Sequence, residues 1–172
     1  QSRTAQTSKQ DGKPELSQAF AEKLTQYVQM LGVPSPRASS ANSKLGQKRF
    51  AEFGCSACHI PELKTGRHPL SFLSEQTVNA YSDLLLHDMG NVLDDGYTEG
   101  SAKTAEWRTP PLWGIGLSPK SQGGNYFLMH DGRASSIEEA IQLHGGEALS
   151  SKNKFNQLTA IAKAKGAVLN RR

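Results

Sequence analysis

The only two cysteines of this 172-residue chain stand three apart, and a histidine follows the second, in Cys55-Ser56-Ala57-Cys58-His59. No other feature limits the fold so sharply. Two thiols separated by two residues on one helical turn can reach the two vinyl groups of a single porphyrin, and the histidine behind them is then carried under the ring to the iron. C-x-x-C-H is the form of c-type haem attachment. A thioredoxin-like redox pair needs no histidine there and sits in a strand-turn-helix setting that the flanking residues do not offer. A structural zinc site needs about four ligands, and no second cysteine pair completes one. A disulfide across two intervening residues would be a strained staple. The motif predicts one covalent haem c on Cys55 and Cys58 with His59 as an iron ligand. Such attachment takes place outside the cytoplasm, so a periplasmic or extracellular location is expected.

Composition points the same way. Hydrophobic residues make up 36% of the chain, against 16 Gly and 8 Pro, a balance that implies a loop-rich fold in need of added cohesion. A large buried cofactor would supply it. The 20 basic and 16 acidic side chains, net +4, are spread along the whole sequence, so no nucleic-acid surface is predicted. No apolar run approaches the roughly 18 residues that span a bilayer, and no membrane span is predicted.

Residues 1–13 are polar and read as a disordered or partner-bound tail. Residues 14–43 read as a helix and linker. The helix is predicted from Pro14 to Leu31 with an apolar stripe of Phe20, Leu24, Tyr27 or Val28, and Leu31 that should pack on something; "GVPSPRASSANS" follows as the linker. Residues 44–172 read as a cytochrome c-like haem domain. It opens on a helix over about 43–53 that carries Phe50 and Phe53, then runs through long ordered loops and short helices between Pro61 and Met129. Ser136 with Glu139 predicts a capping box, with Gly145 as the stop, and Ile137, Ile141 and His144 share one face of that helix. A last helix is expected over 152–169, burying Phe155, Leu158, Ile161 or Ala162, and Val168 and Leu169. No alternating apolar and polar run argues a strand. The expected fold class is therefore all-α, with long loops around one haem and an extra amino-terminal helix.

The other side of the iron has several candidates: His68, His87, Met89, Met129, His130 and His144. Met89 lies in the apolar turn "LLLHDMG" and is the alternative distal ligand, with core filling as its rival role. His87 and His130 each precede Asp and read equally as turn histidines. His144 differs in sharing a helix face with two isoleucines, where a haem protein favours a ligand.

The segments "LGQKRFAEFGCSACHIPEL", "YSDLLLHDMG", "DDG", "EWRTPPLWGIG" and "MHDGRASSIEEAIQLHGGEA" occur in order. Together they resemble the carboxy-terminal haem domain of the bacterial di-haem cytochrome c peroxidase-like proteins, often labelled thiol oxidoreductases, over about residues 18–169. The resemblance implies a ligand fourteen positions after the histidine of an H-x-G turn. From His130-Asp131-Gly132 that position is His144. It also implies Arg108 near a haem propionate, where a surface salt bridge is the rival reading, and Trp107 and Trp113 as pocket walls, with ordinary core packing as the rival. Ile141, on the helix face of His144, is a further cofactor-binding candidate. Relatives bind calcium near an L-T-A-P stretch; here "GLSPKSQGGNYFLMHDG" carries an insertion that departs from that pattern. They also carry a second haem domain ahead of this one, whereas this sequence holds one C-x-x-C-H. It is accordingly expected to be a fragment, a processed product, a split-gene subunit or a stand-alone derivative. The leading expectation is electron transfer with His59/His144 ligation to a redox partner protein or second haem domain, with oligomers allowed. The rivals are a peroxidase using His87, His130 or Glu139 as acid or base, and a haem-stapled module whose first helix docks on a partner.

Overall fold

The computed structural model of the chain describes residues 16–33, 35 and 38–164, with side chains of the last helix described as far as residue 158. The chain divides into two compact units between Ser35 and Pro36. The first holds helix α1, Gln18–Gln29. Its cap is Ser17, whose hydroxyl accepts from Phe20 N at 3.3 Å, and the expected start at Pro14 lies outside the described residues. The predicted stripe is present but uncovered. Phe20, Leu24, Tyr27, Val28 and Leu31 are each about half exposed or more, and α1 buries none of its residues.

The second unit begins with α2, Ala41–Glu52. It starts two residues earlier than expected, because Ser40 and Ser43 cap each other: Ser43 N donates to Ser40 Oγ at 3.1 Å and Ser40 N to Ser43 Oγ at 2.7 Å. Small hydroxyls in this reciprocal arrangement satisfy the free N–H groups of a first turn. The helix stops at Gly54, whose φ of +83° turns the chain left-handed and opens the 3-10 turn Cys55–Ala57.

The expected all-α class is overturned in the loops that follow. Strands β1 (Leu63–Lys64) and β2 (Thr77–Val78) pair antiparallel, as do β3 (Leu86–Asp88) and β4 (Glu106–Arg108), giving two small two-stranded sheets. In the second sheet His87 stands opposite Trp107. The fold is mixed. Elements two or three residues long are too short to display a period of two, so the sequence pattern could not announce them. They form because inward loops must pair their own N–H and C=O groups.

The described core is small: Ala80, Leu93 and Ala134 are its buried apolar residues, joined by Ser82 and Thr109. Ser82 is held by the backbone around it. Its hydroxyl donates to Thr109 O at 2.7 Å and accepts from Leu84 N at 2.9 Å. Three buried apolar side chains are far fewer than a chain of this length needs to offset its ordering entropy. That scarcity suits a fold organised around a large apolar group.

Short α3 (Ser118–Ser121) carries Pro119 in its first turn. Helix α4, Ile137–Leu143, is capped by Ser136, which accepts from Glu139 N at 3.0 Å. The expected box closes one residue off: the Glu139 carboxylate reaches Ser135 N and Oγ, both at 2.8 Å. Helix α5, Leu149–Ala164, starts three residues before the expected Lys152. Its Phe155 meets Phe53 edge to face at 5.9 Å, while the side chains of Ile161 and Ala162, and residues Val168 and Leu169, lie outside those described. Among the described residues no helix is long and apolar enough to cross a membrane.

Candidate functional site

The turn after α2 places the two thiols and His59 together. His59 N donates to Cys55 O at 3.0 Å, so the cysteine turn and the histidine are one hydrogen-bonded unit. Phe50, one turn from the end of α2, stands 6.2 Å from the His59 ring and meets Tyr81 edge to face at 5.9 Å. His59 Nδ1 lies 3.0 Å from Tyr81 O. A carbonyl only accepts, so Nδ1 carries the proton and Nε2 keeps its lone pair. Burial lowers the His59 pKa, outweighing the Tyr81 bond that raises it, and the nearby His144 adds to the lowering. The ring is thus kept neutral, the form that binds metal.

His144 arrives from the other end of the chain. Helix α4 closes at Leu143, and His144 is its cap residue in extended conformation, φ −64° and ψ 118°. It therefore sits at the helix end, where its φ is still helical and only the chain after it turns away. Its Nδ1 lies 2.7 Å from Ala140 O, so its Nε2 is free as well. The two rings stand 6.4 Å apart between centroids, with an interplanar angle of 47°. A metal–imidazole bond is about 2 Å and the ring centre lies about 1 Å beyond the nitrogen, so two imidazoles on opposite sides of one ion stand roughly 6 Å apart. The separation and the carbonyl-bonded Nδ1 atoms are compatible with a two-histidine metal site.

The cysteines themselves are poor free nucleophiles. Burial pushes both thiol pKa values up, and at Cys58 the carboxylates of Asp83 and Glu147 add to the rise. Reactive thiols need the opposite shift. Beside Cys58, His87 Nδ1 lies 3.7 Å from the sulfur. The same nitrogen stands 2.8 Å from Glu147 Oε2, and Nε2 stands 2.7 Å from Asp83 Oδ2. The Glu147 hydrogen bond foremost, and then Asp83, raise the His87 pKa. Cys58, Asp83 and His87 bring their ligand atoms within 4.8 Å of one another, a group that could hold a metal ion while the thiol is free. Both ring nitrogens of His87 are already matched to carboxylates, which favours an ion-pair network instead.

The remaining expected residues divide. Trp107, on β4, stacks on His130 at 3.5 Å and 6° and donates from Nε1 to Leu93 O at 2.8 Å. Both rings therefore have partners within the fold. Arg108 is exposed and makes no ion pair among the described residues. Trp113 is 37% exposed, in the loop before the left-handed Gly114. Met89 comes near His144 through its backbone: its N donates to Ala105 O, and its O lies against Gly145. Ile141 is half-buried, and its carbonyl accepts from His144 N at 3.2 Å. His68 Nδ1 accepts from Leu70 N at 3.1 Å within its own turn. Sequence reasoning missed Asp83, Glu147 and the two carbonyls of Tyr81 and Ala140. Asp83 and His87, four apart, could have been suspected as a pair, whereas backbone oxygens leave no mark in a sequence.

A paired-thiol turn beside two neighbouring imidazoles fits the class of haem-binding oxidoreductase domains. The chain belongs to the family whose model is described as "Di-haem oxidoreductase, putative peroxidase", which matches residues 2–169. Haem is thereby the cofactor its family implies. No curated protein and no solved structure matches the chain.

Proposed function

We propose that this chain acts in electron transfer, carrying one c-type haem bonded to Cys55 and Cys58 with His59 and His144 on the two faces of its iron. The observation that carries this reading is the 6.4 Å separation of the two rings, each with Nδ1 tied to a backbone carbonyl. Bound there, the haem supplies one-electron exchange between ferrous and ferric iron, at a potential below that of a His/Met pair. The protein's part is to hold both imidazoles oriented. Tyr81 O and Ala140 O fix the tautomers, and Phe50 braces the His59 ring. Two well-anchored ligands keep small molecules off the metal and limit rearrangement when an electron arrives. The location is periplasmic or extracellular, and the partner is a redox protein or a second haem domain.

Optical and EPR spectra of the isolated ferric protein test the proposal. A low-spin spectrum unchanged by peroxide is expected, and a high-spin ferric spectrum overturns it. The family description favours a second reading, peroxide reduction, which requires His144 to leave the iron. Steady-state turnover with peroxide and an electron donor would then be found, with His87 placed at the cysteine edge as a proton carrier.

A further inference from the structure

Helix α4 orients the His144 ring through Ala140 O, and a second contact fixes where the chain after it lies. Helix α4 ends at Leu143, and the chain beyond it lies against the end of β3 so closely that no side chain fits between. A Cβ added at Gly145 would stand 2.7 Å from Met89 O, one at Gly90 would stand 2.8 Å from Gly146 N, and one at Gly146 would collide with Asp88 O. Gly90 and Gly146 also take left-handed φ values of +77° and +46°. Glu147 closes the contact from outside: Oε1 accepts from Asp88 N at 3.1 Å and Oε2 meets His87 Nδ1 at 2.8 Å. The far side is anchored in the second sheet by Met89 N to Ala105 O at 2.9 Å and by the His87–Trp107 register.

We propose that this backbone clasp, Asp88–Gly90 against Gly145–Gly146 with Glu147 as its latch, is the positioning element that sets His144 on the iron. A side chain added in the clasp pushes the chain after His144 outward and withdraws the imidazole, turning a filled coordination position into an open one. The inference rests on the His59/His144 reading above. Gly145 is its cleanest probe, because its φ of −126° is not left-handed, unlike those of Gly90 and Gly146, so Gly145→Ala tests the contact rather than a positive φ. Gly96 is the control. Its φ is +71° but nothing lies within 4 Å of an added Cβ, so Gly96→Ala adds strain and no contact.

The experiment compares ferric spectra and imidazole binding of the haem-loaded wild type, Gly96→Ala, Gly145→Ala and His144→Ala at equal haem content. Wild type and Gly96→Ala are expected to be low-spin. Gly145→Ala is expected to raise the high-spin fraction about tenfold and to return to low-spin on adding imidazole, a rescue that a merely unstable variant would not show. A Gly145→Ala protein with the wild-type spectrum and no gain in imidazole binding overturns the clasp if His144→Ala has turned high-spin. If His144→Ala itself stays unchanged, the ligand reading fails first. Should Gly145→Ala accumulate without haem, Glu147→Ala releases the latch without adding an atom. Imidazole should then bind about tenfold faster, and an unchanged rate overturns the proposal.

Discussion

His87 gathers more charge than any other described histidine, with a carboxylate on each ring nitrogen. Its folded pKa is raised, chiefly by Glu147. The group therefore binds its proton more tightly in the folded chain, and that stabilisation is complete below the ordinary imidazole value and lost as pH climbs through the raised one. Glu147 is held below the usual carboxylate range by the His87 bond first and the Asp88 N–H second. Burial alone would raise Asp83, but bonds from Leu85 N–H and His87 outweigh it and hold its pKa down. The carboxylate share is present above the ordinary carboxylate range and lost on acidification. The thermal midpoint of the haem-loaded protein should fall by a few degrees as pH rises from about 6.5, and His87→Gln should flatten that slope. A wild-type slope retained in His87→Gln would assign it elsewhere. At this scale the sequence was a good guide to identity and a poor one to environment. The thiol pair and both imidazoles stand out by type and spacing, but nothing in "YSDLLLHDMG" reveals that His87 joins Asp83 to a glutamate sixty residues on.

Helix α2 presents the cysteine turn, and its first turn depends on the Ser40–Ser43 exchange. Ser40→Ala should cost about 1 kcal/mol, read as a lower denaturation midpoint at unchanged slope, with the haem spectrum intact because the site lies at the far end of the helix. The left-handed turn at Gly54 is the stricter requirement. Its φ is +83°, and an added Cβ would stand 3.3 Å from Ser151 Oγ on α5. Gly54→Ala should cost roughly 1–2 kcal/mol and lower the yield of haem-loaded protein, measured as haem absorbance per protein. Helices α1, α2, α4 and α5 were all legible, since caps and apolar spacing extend over many residues. The strands were not. Pairs two or three residues long are chosen by which loops meet in space, information that exists only after the chain has folded.

For the molecule as a whole, the described apolar core of Ala80, Leu93 and Ala134 suggests that cohesion comes from more than protein packing. Leu84, Leu85, Leu86 and Phe127 are about half exposed or more, within the same unit. A Cys55→Ser/Cys58→Ser chain, unable to bond haem covalently, should lose the cooperative thermal transition of the loaded protein while keeping part of its helical circular dichroism. A sharp transition at the wild-type midpoint would show that protein packing suffices.

The two imidazoles are also anchored over very different lengths of chain. His144 bonds the carbonyl of Ala140, four residues back on its own helix, whereas His59 bonds that of Tyr81, twenty-two residues away. One bond can form as soon as a single helical turn exists; the other waits until a long loop has closed. During synthesis or partial melting the later histidine can thus take its tautomer from local structure alone, before the clasp sets its position. The earlier one gains its tautomer only when the whole unit has assembled, so the Nδ1 proton of His59 should report on complete folding and that of His144 only on the fraying of one short helix.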